Sequence, residues 1–443
     1  MDLRGHAMKI IEAALAAVEP GKLTRQALAV SGGGIDLDGY RLDLSRVRDI
    51  YLLGMGKAAA TMARGAESVL KGRISAGLVV VKDGYGVPGL KFTEVVEAAH
   101  PLPEERNIAA ARRVLELAER ADEDSLVIFL VSGGSSALLT LPAPGVSLED
   151  LRRVTEALLK SGAAIGEINA VRKHITGVGG GRLAAAAAPA RVLTLIVSDV
   201  IGDRLDVIAS GPTVPDRSTF AEALAVLRKY NLFDELPEII PARLQQGIAG
   251  TIDETPKPGD PVFARAHARI IASNRNAVDA AARAAGGLGY EVTRMKPLLG
   301  EARVRGKEFA ELVRRQEEPG KHGFRPACVI AGGETTVAVR GPGAGGRAQE
   351  FALAAALEME GLRNSLIFGF GTDGTDGPTE AAGAFADGST LARARAAGLD
   401  PARHLAQNDA YPLFAALDDL IVTGPTGTNV NDIYCALMHN PDA

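Results

Sequence analysis

Tryptophan is absent from this chain, cysteine occurs twice in 443 residues, and aromatic side chains make up only 4%. Two cysteines build no disulfide framework and offer no metal-ligand spacing; Cys328 lies inside one apolar run and Cys435 in a terminal stretch that reads as helical. Unpaired thiols point to a reducing compartment, so a cytoplasmic protein is expected. Basic excess is also missing: 49 Lys and Arg face 54 Asp and Glu, and no dense basic run occurs. Neither nucleic acid nor an anionic membrane is therefore implied as a partner. No segment approaches the length of a membrane span, and the opening MDLRGHAMKIIEAALAAVEPGK carries Asp2 and Glu12, so it reads as an amphipathic helix and not a signal peptide. No internal repeat relates the two halves. Asn and Gln are few while Ala, Gly, Arg and Glu abound, a balance that suits a heat-stable protein and a GC-rich genome equally.

What the chain does contain is an alternation of short apolar runs and longer helical patterns. IYLLG (50–54), AGLVVV (76–81), LVIFLVS (126–132) and VLTLIVS (192–198) are apolar continuously, as strands are when helices cover both sheet faces. Helices are expected between them at 57–71, 103–119, 148–161 with Ser147 and Asp150 as a capping pair, and in the alanine-rich 183–190. Five prolines between 237 and 262 interrupt the pattern, which places a boundary near TPKPGDP, at 255–261. Beyond it come further runs at 268–273, 327–335, 365–371 and 419–425, with helical patterns at 275–286, 303–315, 347–358 and 389–398. The expected architecture is two α/β/α sandwich domains, 1–250 and 262–443. The first is Rossmann-like with a mainly parallel sheet, the second has a parallel or mixed sheet.

Chemistry is expected where strands open into loops. The segment 366–387, LIFGFGTDGTDGPTEAAGAFAD, sets Asp373, Asp376, Glu380 and Asp387 among glycines after an apolar run. Glycines admit a phosphate close to the backbone, and carboxylates hold Mg²⁺. Four other loops share this character: GMGKAA with Gly54, Gly56 and Lys57; SGGSSA with Ser132, Gly133, Gly134, Ser135 and Ser136; SDVIGD with Asp199 and Asp203; and GGET with Glu334. Loops at strand carboxyl ends share one sheet edge, so a phosphorylated ligand is implied. GMGKAA also fits the dinucleotide pattern G-x-G-x-x-A, but its acidic partner about 20 residues on is poorly supplied, because Asp83 comes late and follows Lys82. It is no Walker A loop either, since Tyr51 replaces the first glycine and Ala58 the metal-binding hydroxyl. A serine nucleophile lacks G-x-S-x-G, and His174 beside Arg172 and Lys173 reads as a structural hydrogen-bonder. Arg347 suits a phosphate or carboxylate clamp, with an ion pair to Glu350 as the competing reading. GPTGTNVND supplies Thr426 and Asn429 before an expected last helix, where Asn431 or Asp432 would cap.

With these residues in place, the chain resembles the class II glycerate 2-kinases, whose C-terminal part is called the MOFRL domain. The likeness rests on LLGMGKAA, HPLPEERN, SGGSSALL, SDVIGD with IASGPTVPD, GGETTV with GGRAQE, GTDGTDGPTEAAGA and TGPTGTNVND, in that order over nearly the whole length. The family pattern departs at Ala348, Gly179 and Arg204. The resemblance implies ATP- and Mg²⁺-dependent phosphorylation of (R)-glycerate to 2-phosphoglycerate, with Lys57 and Arg347 as the catalytic pair in a cleft between domains. On this reading Asp199 is a base or metal ligand, Asp203, Asp373 and Asp376 surround Mg²⁺ or nucleotide, and a homodimer is left open. An NAD(P)H-dependent hydroxypyruvate reductase and a catalytically silent phospholigand binder are the alternatives from other classes.

Overall fold

The computed structural model describes residues 2–37, 39–316 and 326–439. They form two compact units, one of residues 20–271 and one that joins 1–19 to 272–443.

The first unit is built on a six-stranded sheet. In spatial order its strands are Glu94–Ala98, Ile74–Lys82, Asp49–Met55, Ser125–Val131, Arg191–Val197 and Ala266–Ala272. The first five pair in parallel, and Ser125–Val131 is buried at every position, as its unbroken apolar run requires. Helices Ala59–Leu70, Glu105–Glu119 and Leu148–Lys160 form as expected; the last opens with Ser147 and Asp150 exchanging backbone bonds at 3.0 Å each. Chain order runs one way from the central strand Asp49–Met55 and then the other, so the reversal falls between Asp49–Met55 and Ser125–Val131. Open α/β sheets bind ligands in the crevice at such a reversal of strand order, beyond the carboxyl ends of the strands.

Run 268–273, expected to begin the second domain, is the edge strand of this first sheet. The proline-rich stretch before it does not separate units, because polar side chains pin it down. Glu254 accepts from His174 Nε2 at 2.8 Å and from the Phe220 amide at 3.0 Å, and Thr255 donates to Asp216 at 3.0 Å.

The second unit holds a mixed sheet in the order Glu291–Arg294, Ala327–Thr336, Asp432–Met438, Ser365–Gly371, Gly383–Asp387 and Leu420–Ile421, with Leu298–Glu301 also paired to Ala327–Thr336. Here Asp432–Met438, expected as a helix, is a fully buried strand antiparallel to both neighbours. Seven apolar-rich residues carry no decisive period, and two open sheet edges to satisfy decide the matter. Its antiparallel sense brings Asp432 opposite Gly333 and Gly371, the latter at the point where its strand opens into the acidic glycine loop. The first helix, Leu3–Ala16, belongs to this unit. Its buried stripe of Ala7, Ile10, Ile11 and Ala14 packs on helix Asn274–Gly287, and His6 Nδ1 meets Tyr290 OH at 2.9 Å.

Candidate functional site

In the first unit the crevice joins two of the expected loops directly. The Lys57 amide donates to Gly133 O at 2.9 Å, and the Ala58 amide to Ser132 Oγ at 3.0 Å. Gly56, with φ of +118°, passes so close that a β-carbon would lie 2.3 Å from Ser132 Oγ. Only glycine fits this approach. Gly54 lies earlier, inside the strand, packed between Val79 and Leu130, so its role is in the sheet.

The three serines divide. Ser132 and Ser135 are buried, the former accepting from Ala58 and the latter donating to Met55 O at 2.8 Å, so both hydroxyls brace one loop against the other. Ser136 alone turns its hydroxyl sideways, 3.3 Å from Ser210 Oγ. Beside them a β-carbon on Gly133 would come within 2.3 Å of Asp199 Oδ2, which shows how tightly that carboxylate abuts the loop. Asp203 sits further along the same connection at φ of +55°, and Arg204 is paired with Asp206 at 2.7 Å.

The 132–136 loop and Asp199 line a cleft of about 740 Å³, which also takes in His100, Asn169 and Arg172. His100 lies against Gly134, and its pKa is depressed to about 4 by burial first, then by the neighbouring Lys57 and Lys82 ammonium groups. It is a neutral imidazole at physiological pH. His174, by contrast, is wholly buried and spends both ring nitrogens on Ala170 O and Glu254. The dinucleotide pattern also loses its acidic partner, since Asp83 is held by Arg106 through two bonds of 2.6 Å.

In the second unit Arg347 opens helix Arg347–Met359 and ends in a network of acids. Its Nε lies 2.6 Å from Asp432 Oδ2, Nη2 is 3.0 Å from Asp432 Oδ1, and Nη1 is 2.9 Å from Glu334 Oε1. Tyr434 donates to Asp432 at 2.8 Å and meets Thr335 Oγ1 at the same distance. The alternative pairing with Glu350 does not form; Glu350 is taken by Arg303 and Asn408. Burial raises the Asp432 carboxyl to about 6 although Arg347 pulls it down.

The acidic loop separates into different tasks. Asp376 is buried and accepts from the Ala348 and Gln349 amides at 3.1 and 2.8 Å, capping the Arg347 helix from outside its own segment. Burial pushes its carboxyl up to about 7. Asp373 is partly exposed and closes a turn with Thr375 at 3.1 Å. Asp387 binds Ser389, and Glu380 meets Tyr411 OH at 3.3 Å, so neither joins the other two. Thr426 donates to Thr372 O at 2.6 Å, and Asn429 accepts from the Asn431 amide at 3.1 Å, which makes both of them loop braces. Among the described residues no group of three His, Cys, Asp or Glu side chains forms a ready metal cage.

Sequence reasoning passed over His100, Arg172 and Asp432. His100 opens the stretch HPLPEERN and Arg172 was named only as a neighbour of His174; Asp432 was visible only as a cap.

The model described as a domain of unknown function, DUF4147, matches residues 6–245, and the MOFRL family model matches residues 327–432. The chain is 41% identical to glycerate 2-kinase of Pyrococcus horikoshii over 99% of its own length and 98% of the relative's. It is 42% identical to D-glycerate 2-kinase of Thermotoga maritima, covering 98% of each chain. The crystal structure of a Thermotoga maritima glycerate kinase superposes with a TM-score of 0.86 at 40% identity, over 98% of this chain and 99% of that one.

Proposed function

The chain belongs to the family of these glycerate 2-kinases, and on that premise we propose how its residues perform the transfer. ATP donates its γ-phosphoryl group to the 2-hydroxyl of (R)-glycerate. A phosphorus–oxygen bond forms at O2, the β,γ bridge breaks, ADP leaves, and the hydroxyl proton passes to a base. Such a transfer needs in-line positioning and neutralisation of charge on the phosphoryl oxygens more than covalent chemistry. Lys57, set at a topological switch point by the bracing of Ser132 and Ser135, supplies a cation for the γ-phosphoryl. Arg347, oriented by Asp432, offers phosphate the guanidinium edge that Glu334 now occupies. Asp199 stands at the cleft as the acceptor of the hydroxyl proton.

Mg²⁺ fits these residues only as a partner of the nucleotide. A magnesium ion commonly keeps its waters and takes one or two carboxylates plus phosphate oxygens, so the lack of a three-acid cage is no obstacle. Asp199, Asp203 and Asp373, all partly exposed, are the carboxylates suited to it. Asp376 is not, because its oxygens already serve two amides. The ion's contribution would be to neutralise phosphate charge. We place the reaction in the cytoplasm; no described helix is long and apolar enough to cross a membrane.

The observation that carries the reading is the docking of the Lys57 loop on the 132–136 loop at the point where strand order reverses. Product identity tests it. With ATP, Mg²⁺ and (R)-glycerate, the product is expected to feed enolase directly. A requirement for a phosphoglycerate mutase would move the phosphate to O3, and NADH oxidation by hydroxypyruvate without ATP would replace the kinase by a reductase.

A further inference from the structure

Arg172, in the first unit's cleft, has no counter-ion among the described residues. Arg172 stands in the last turn of helix Ile165–His174, and its guanidinium makes a single hydrogen bond, to Ser136 O at 3.2 Å, with no ion pair among the described residues. Its neighbours along the helix are satisfied in the ordinary way: Lys173 pairs with Asp216 at 3.0 Å and His174 with Glu254 at 2.8 Å. Burial lowers the pKa of Arg172, and no carboxylate offsets that cost. A half-buried guanidinium without a counter-charge is costly to keep, and five fixed donors in a fork match a carboxylate bidentately.

The surroundings are polar and neutral. Ser136 Oγ, Ser210 Oγ and Asn169 form a chain, with Ser210 donating to Asn169 Oδ1 at 3.2 Å. Ser210 and the preceding Ala209 both adopt positive φ, of +60° and +53°, in the IASGP stretch that the proposed transfer does not use. Strain of this kind persists where the surrounding structure holds a residue for a task. From Arg172 the cleft wall continues through Ser136 and Gly134 to His100.

We propose that Arg172, with the Ser136 and Ser210 hydroxyls beside it, is the anchor for the carboxylate of the acceptor substrate. This rests on the glycerate kinase reading. A carboxylate held there lets the adjoining 2-hydroxyl point toward Asp199 and the Lys57 loop, which ties the position phosphorylated to the position of one guanidinium. A polyphosphate is the poorer occupant, because it carries more charge than one cation offsets and the Lys57 loop is docked on the glycine loop at Gly133.

Steady-state kinetics of the full chain test this. Turnover of glycerate by the wild type decides the kinase reading separately, before any variant is made. Arg172→Met is then expected to raise the KM for glycerate about 10- to 100-fold, the worth of a charge-assisted pair, while the KM for ATP stays within about twofold. The wild type's preference for glycerate over its uncharged amide should vanish in the variant, and added guanidinium should restore part of it. If Arg172→Met does not fold, Arg172→Lys serves, since it keeps the charge and loses the fork. An unchanged KM for glycerate, a rise confined to ATP, or a retained preference for the carboxylate over the amide would each overturn the assignment.

Discussion

At the scale of single residues, the proposed catalytic cations differ in what they owe to their surroundings. Lys57 is positioned by backbone bonds of its loop, so Lys57→Ala should lower kcat by roughly 10²-fold or more and leave the melting temperature near that of the wild type. Arg347 is itself the partner of a buried acid. Arg347→Met would strand Asp432 without its cation, a loss of about 3–5 kcal/mol by the usual cost of a broken buried pair. The double change Arg347→Met with Asp432→Asn should therefore recover most of the melting temperature and none of the kcat. Recovery of both would remove Arg347 from the transfer; recovery of neither would deny the buried pairing its structural weight.

At the scale of elements, helix Arg347–Met359 depends on an acid from a different segment. Asp376 caps its first amides, yet burial lifts the carboxyl to about 7. In the unfolded chain that group ionises near its ordinary value of 3.8, so between these two values the folded state holds the proton more tightly. Stability from this group is full below about pH 4 and declines as pH rises toward 7. Thermal melts over that range should fall with rising pH in the wild type, and the slope should flatten in Asp376→Asn. An unaltered slope in the variant would assign the dependence to other groups, Asp432 first, whose carboxyl is raised to about 6 in the same direction.

At the scale of the whole molecule, the first helix is distant in sequence from the unit it stabilises. Ile10 and Ile11 are fully buried there, and each buried isoleucine contributes about 1.5–3 kcal/mol. Removal of residues 2–19 should thus loosen 272–439 and spare 20–271. Hydrogen exchange can read this out: protection lost in strands Ala327–Thr336 and Asp432–Met438, with Ser125–Val131 unchanged, is the expected pattern. Equal loss in both units would show that the helix serves the first as well.

The sequence alone determined four of the five parallel strands of the first sheet, because their apolar runs are unbroken and separated by helices with readable starts such as Ser147 and Asp150; Glu94–Ala98, flanked by glutamates, was not among them. It determined the family through seven ordered motifs, and it marked Lys57, Asp199 and Arg347 because charge beside glycine has few structural uses. Tertiary structure decided the rest. Strand Asp432–Met438 is too short for its period to distinguish strand from helix, and only two waiting sheet edges settle it. Proline marked an interruption at 255–261, but whether an interruption parts two units depends on which side chains tie it down, as Glu254 and Thr255 do. Hydroxyls and carboxylates have identical letters whether they brace a loop or face a ligand. Ser132 and Ser136, or Asp376 and Asp373, part company only once the fold buries one of each pair against amides of another segment and leaves the other partly exposed on its loop.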